Sequence, residues 1–210
     1  MGVRISRGLR ATVARAVLGV YRTRLVDTNN VPPGGAILAG NHVSYLDPVL
    51  LWCGAPRPVH FMAKTELWDS RFIGWALDRV LAFPVRRGTP DRAALATAGT
   101  LLSAGELVGI FPEGTRHRAG ETDELGEASE GVAFIALRAG VPVVPVGIHG
   151  TAEALPRGAR LPRFPHVTIR FGEPVRPGDF ADGGRKERVA LMTREIMDRI
   201  ADARDKAREA

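Results

Sequence analysis

Short apolar runs alternate along this chain with longer segments whose apolar residues recur every three or four positions. The runs Ala36-Ile37-Leu38-Ala39, Val59-His60-Phe61-Met62-Ala63, Leu81-Ala82-Phe83-Pro84-Val85, Leu107-Val108-Gly109-Ile110-Phe111 and Val167-Thr168-Ile169-Arg170-Phe171 predict strands. Helices are predicted where Val49-Leu50-Leu51-Trp52 opens, over Arg71 to Val80, over Pro90 to Ala104 and over Gly131 to Ala139. A long charged helix is predicted from Gly184 to Ala210, with Val189, Met192, Ile196 and Ile200 as an ordinary packing stripe and no chemistry assigned to it. A further apolar run, Val141 to Val146, contains two prolines, which predicts an edge or irregular strand because proline has no ladder donor. Strands and helices in alternation predict one α/β domain with a largely parallel or mixed sheet flanked by helices.

The first residues follow a different pattern. Val3, Ile5, Leu9, Val13, Val17, Leu18 and Tyr21 fall at roughly helical spacing among arginines, and no acidic residue precedes Asp27. Such a helix can lie in a membrane interface, with its apolar side chains among acyl tails and its arginines at anionic headgroups. It can equally pack its apolar face on the domain and leave the arginines in water. The turn-forming stretch from Asn29 to Gly35 follows it. The expected division is therefore residues 1–28, an amphipathic membrane-interface helix, and residues 29–210, the α/β domain with its C-terminal helix.

The composition is that of a globular protein, 45% hydrophobic and 25% charged, and 210 residues suit one well-packed domain. Charge changes the picture more: a net +6, carried mostly by arginine, suits phosphate groups on nucleic acid, an anionic lipid or a phosphorylated small substrate. Cys53 is the single cysteine, so an internal disulfide is excluded and a reducing compartment is expected. The sequence contains neither an apolar run of about eighteen residues nor a secretory leader pattern. The expectation is a peripheral protein on the cytoplasmic face of a membrane.

Candidate chemistry gathers at strand ends. After the first long run comes Asn41-His42-Val43-Ser44-Tyr45-Leu46-Asp47-Pro48, a polar turn entering a helix. With four residues between them, the Asp47 carboxylate can fold back on one His42 nitrogen and leave the other as a base. Asp47 ahead of Pro48 also reads as a helix cap, and its two oxygens can serve both ends at once. Lys64 and Glu66 follow the second run, either lining a site or pairing with each other. Arg86 and Arg87 follow the third, with one of the two expected to hold a phosphate. Pro112-Glu113-Gly114-Thr115-Arg116 follows the fourth, where Glu113 can accept from a hydroxyl and Arg116 can grip a phosphate.

These blocks resemble the glycerolipid acyltransferases, whose best-known members are 1-acyl-glycerol-3-phosphate acyltransferases. The family's Asn-His-x-Ser-x-x-Asp block is matched by Asn41, His42, Ser44 and Asp47, and its Phe-Pro-Glu-Gly-Thr-Arg block stands at Phe111 to Arg116. Its arginine-ending strand is similar to Phe83 to Arg87, and its two-proline strand to Val141 to Val146. Lys64-x-Glu66-Leu67 also fits what lies between the first two blocks. There are two departures: Ser129 stands where the family often has lysine, and Arg86 where it often has an acid. The resemblance implies acyl transfer from acyl-CoA or acyl-carrier protein to the free hydroxyl of a lysophospholipid, 1-acyl-glycerol-3-phosphate, giving phosphatidic acid, with no cofactor. His42 and Asp47 would be the catalytic pair. Arg87, Glu113, Gly114, Thr115 and Arg116 would bind substrate, and Asn41, Ser44 and Lys64 would support the site.

Other signatures are missing: no Gly-x-Ser-x-Gly elbow, phosphate loop, zinc-type Cys/His spacing or Gly-x-Gly-x-x-Gly occurs. No third ligand joins His42 and Asp47, so no metal is expected. One rival keeps the reaction but takes another lysolipid, an ornithine-type lysolipid or glycerol-3-phosphate as acceptor. The other is a non-catalytic protein on anionic membrane or nucleic acid. Arginines without aromatic interleaving speak against nucleic acid.

Overall fold

The computed structural model describes residues 7–86, 91–113, 130–154 and 163–210. Seven strands form one sheet: β1 (Arg24–Val26), β2 (Ala36–Gly40), β3 (Val59–Lys64), β4 (Phe83–Val85), β5 (Leu107–Ile110), β6 (Val143–His149) and β7 (Thr168–Phe171). The helices are α1 (Arg7–Val20), α2 (Asp47–Gly54), α3 (Arg71–Arg79), α4 (Arg92–Ser103), α5 (Gly131–Ala139), the short α6 (Thr151–Ala154) and α7 (Arg185–Arg208). The strand order is β1-β7-β6-β2-β5-β3-β4. Strands β6, β2, β5, β3 and β4 run parallel, while β7 pairs antiparallel with β6 and β1 runs with β7. This is the mixed sheet of a single α/β domain.

Period-two alternation gives each strand of the sheet centre two apolar faces. In β2, Ala36 and Leu38 enter the layer beneath α1 and α2, while Ile37 and Ala39 enter the layer beneath α4, α5 and α7. All four are fully buried, which is why the run carries no polar residue.

Two strand expectations need correction. The sheet begins at β1, not at residue 36: Arg24 N–H donates to Val167 C=O over 2.8 Å, and three residues are too few to show a period. The two-proline strand is interior, between β2 and β7. Pro142 precedes it, and its carbonyl accepts from Ile37 N–H at 3.0 Å. Pro145 lies one residue before the β6–β7 ladder ends at Val146 and Phe171, so its missing donor falls where the partner strand has stopped. Its carbonyl still accepts from Gly172 N–H at 2.8 Å.

The N-terminal helix is docked. One Arg10 nitrogen donates to the carbonyls of Trp52, Ala55 and Arg57 at 2.8, 2.9 and 3.2 Å, so the guanidinium satisfies carbonyls at the end of α2, with its carbon 5.2 Å above the Trp52 ring. The same burial lowers the Arg10 pKa and pushes the Cys53 thiol up to about 11, leaving that cysteine an inert part of the core. Among the described residues, no helix is long and apolar enough to cross a membrane.

Candidate active site

Because five strands are parallel, the carboxyl ends of β2, β5, β3 and β4 share one edge of the sheet, the edge at which open α/β sheets place ligands. At that edge β2 passes into Asn41. The Asn41 amide donates to Ile148 C=O at 2.9 Å and accepts from Ile148 N–H at 2.8 Å, tying the end of β2 to β6 with both bonds buried. The turn after it is thereby anchored on two strands.

Asp47 is fully buried, and its Oδ2 accepts three bonds: from His42 Nδ1 at 2.9 Å, Val43 N–H at 2.8 Å and Ser44 N–H at 2.7 Å. No side-chain cap bond is made at the start of α2, although Pro48 holds its first turn. The carboxylate therefore faces back into the turn instead of capping the helix. This fixes the tautomer: a proton on Nδ1 directed at Asp47 leaves the lone pair on Nε2. Ser44 Oγ accepts from Leu46 N–H at 3.3 Å and closes the same turn.

The imidazole is held from the side as well. It stacks on Phe111 with ring centroids 4.4 Å apart, and Phe111 lies parallel to Phe61 of β3 at 6.1 Å. Gly109 makes that series of rings possible, since a Cβ there would lie 2.4 Å from the Phe61 ring. His42 itself keeps 16% side-chain exposure, enough for a substrate atom to reach it.

Glu113 follows β5 and comes to the same turn, its carboxylate accepting a backbone hydrogen bond from His42. Burial pushes its pKa up from 4.5 to about 7, against the pull of the Arg204 guanidinium; the Asp47 charge raises it further. Arg204 belongs to the C-terminal helix, to which the sequence pattern assigned no chemistry. It arrives because α7 lies directly on β6 at Gly147, where a Cβ would meet the Ala203 carbonyl carbon and oxygen at 2.2 Å. The available signal was modest: Arg204 stands four residues after Ile200, beside the buried stripe.

Lys64 is half-buried at the end of β3, opposite Val85 of β4, on the same edge. Arg86 is exposed, its backbone N–H donating to Asp91 Oδ2 at 2.9 Å; Asp91 in turn caps α4. Arg87, Gly114, Thr115, Arg116 and the Ser129 position lie outside the described residues. The structure thus brings together Asn41, His42, Ser44, Asp47 and Glu113, with Lys64 along the same edge. Among the described residues, no group of three or more His, Cys, Asp and Glu side chains converges as metal ligands would.

Known proteins share both sequence and fold with this arrangement. The family model described as Acyltransferase matches residues 22–149, the span that holds β2, the His42 turn, β5 and Glu113. A 1-acyl-sn-glycerol-3-phosphate acyltransferase of Bacillus subtilis (strain 168) is 34% identical over 185 residues, 87% of this chain and 88% of the relative. A chloroplastic 1-acyl-sn-glycerol-3-phosphate acyltransferase of Arabidopsis thaliana is 28% identical over 190 residues, 88% of this chain but 50% of that longer relative. In fold, the chain is similar to the crystal structure of the 1-acyl-sn-glycerophosphate (LPA) acyltransferase PlsC from Thermotoga maritima, with a TM-score of 0.68 and 24% identity over 95% of this chain and 83% of that one. A family model that covers residues 22–149, more than half of the chain, together with a relative 34% identical over 87% of it, shows the family: this chain belongs to the acyltransferase family.

Proposed function

We propose that the protein moves a fatty acyl group from an acyl thioester, acyl-CoA or acyl-carrier protein, to the free hydroxyl of 1-acyl-glycerol-3-phosphate, giving phosphatidic acid. The bacterial and chloroplastic relatives, both 1-acyl-sn-glycerol-3-phosphate acyltransferases, support this acceptor. The observation that carries the chemistry is the 2.9 Å contact between His42 Nδ1 and an Asp47 oxygen already held by two backbone donors.

In this reading His42 Nε2 takes the proton of the acceptor hydroxyl as its oxygen attacks the thioester carbonyl carbon. The C–S bond then breaks, and the thiolate leaves with the proton that His42 returns. Positioned base help of this kind contributes about 10²–10⁴ in rate, and holding the two substrates together supplies the larger share. Glu113, beside the His42 backbone, accepts from the acceptor and shapes its pocket with Gly114, and Thr115 belongs to the same substrate-binding set. Arg87 and Arg116 hold the phosphate, and Lys64 supports the site. Asn41 and Ser44 keep the turn in place.

We place the protein peripherally on the cytoplasmic face of a membrane. Arg15 of α1 is exposed on a helix without acidic residues, which suits the anionic lipids of that leaflet, whereas Arg10 is held by the carbonyls at the end of α2.

The test is product identity. Purified protein is given a long-chain acyl-CoA, or the acyl-carrier protein thioester, with 1-acyl-glycerol-3-phosphate, other lysophospholipids or glycerol-3-phosphate in competition, and products are read by mass spectrometry. Phosphatidic acid as the preferred product is expected. A preference for another headgroup would move the acceptor, and thiol release that needs no acceptor would make the protein a thioesterase.

A further inference from the structure

Among the described residues, large apolar side chains left in solvent fall mostly on one side of the sheet, where Val20, Leu25 and Phe164 toward the β1 end are 37% to 57% exposed. Leu9 and Val13 of α1, Tyr45 and Val49 around the start of α2, and Ile73 and Trp75 of α3 are 38% to 62% exposed. They lie on one side of the sheet: α1 and α2 build the layer containing Leu38 and Val146, and α3 reaches that layer through Val80, next to its last turn. On the side covered by α4, α5 and α7, Leu191 is the exposed large apolar side chain among the described residues. Segregation of this kind marks an interaction surface, since scattered exposed residues need no explanation whereas clustered ones do.

Charge separates two parts of this surface. Helix α1 has arginines and no acid. Around α3, Arg71 and Arg79 are balanced by Asp69 and Asp78, with Asp78 accepting from the Trp68 indole at 3.1 Å. What α3 presents is instead an aromatic ring, with the Arg79 guanidinium carbon 4.3 Å over Trp75. An exposed indole joined to a cation matches the headgroup level of a bilayer, apolar on one side and wet on the other. Tyr45, 62% exposed, stands inside the turn that holds His42 and Asp47.

We infer that Ile73 and Trp75, with Tyr45 at the catalytic turn, form a second lipid contact, separate from α1, that seats the mouth of the site on a phospholipid surface. This rests on the peripheral-membrane reading above. It adds a place and a mechanism: α1 supplies a salt-sensitive attraction, and α3 supplies an apolar contact that salt does not screen. A lipid acceptor would then reach His42 from the surface without leaving the bilayer for water.

The experiment is sedimentation of the full chain with vesicles of phosphatidylcholine and phosphatidylglycerol, at low salt and at about 0.5 M salt, where surface charge is screened. Wild type is compared with Ile73→Ser/Trp75→Ser. The α3 variant is expected to bind about tenfold more weakly or worse at both salt concentrations. It should turn over vesicle-embedded acceptor more slowly while keeping wild-type rates on a short-chain acceptor dispersed as monomers. As a readout that needs no disruptive change, brominated phosphatidylcholine should quench wild-type tryptophan fluorescence more than that of Trp75→Phe. Equal binding by wild type and the α3 variant, with equal quenching of Trp75→Phe, would overturn the α3 contact and leave the membrane reading standing. Wild type that binds no vesicle at either salt concentration would overturn both.

Discussion

Asp47 is the residue on which the site turns. One of its oxygens takes the His42 Nδ1 proton and the backbone donors of Val43 and Ser44, so a single buried atom sets both the turn and the tautomer. Asp47→Asn is expected to lower kcat by about 10²–10⁴ with little change in KM, because the amide supports the turn but can bring the wrong tautomer of His42 forward; a kcat within a few-fold of wild type would contradict the assigned role. The pairing of His42 with Asp47 was legible in the sequence, since the two are joined by one short turn. The direction in which Asp47 faces was not, because capping and orienting use the same residue type at the same position. Glu113 offers a second test. Its carboxyl has a native pKa of about 7, raised above the 4.5 of the unfolded chain, so between those values the native state holds a proton that the unfolded state has lost. Stability from this group therefore falls as pH rises from about 4.5 to about 7 and stays reduced above that. Glu113→Gln should remove the decline in urea titrations, and Arg204→Ala, by deleting the opposing cation, should carry it to higher pH. Identical pH profiles for all three proteins would refute both statements.

Most elements were legible as elements. The apolar runs and the three-to-four periodicity located all but one of the strands and every long helix, because each buries a face that its composition announces. Placement across the sheet was not legible: Pro145 suggested an edge, yet β6 lies inside, its missing donor falling beyond the end of β7. Arg204 was hidden for a related reason, since it reaches Glu113 only through the packing of α7 on β6 at Gly147. Gly147→Ala would press a methyl group on the Ala203 backbone, which has no rotamer with which to yield, and should cost about 1–3 kcal/mol in unfolding free energy at an unchanged m-value. A neutral result would mean that α7 sits less closely on the sheet. Arg10→Met should likewise cost about 1–3 kcal/mol, since the carbonyls that it serves at the end of α2 lose a charged donor.

At the scale of the molecule, five parallel strands deliver the polar ends of β2, β5, β3 and β4 to one edge, and the last helix returns to it. The net charge of +6 was visible in the composition, but its use depends on where the fold sets α1 and α3 relative to the site. Binding to anionic vesicles should weaken as salt rises, without vanishing, because the charge is screened while the apolar face is not; loss of all binding at high salt would leave no role for that face. The central claim is that His42, held by Asp47, is the base for acylation of a lysolipid hydroxyl. Its most direct measurement is thiol release from long-chain acyl-CoA in anionic vesicles, with and without 1-acyl-glycerol-3-phosphate, by wild type and by His42→Ala. Release that requires the acceptor and disappears in the variant is predicted. Acceptor-dependent release that survives in His42→Ala at the wild-type rate would contradict the account.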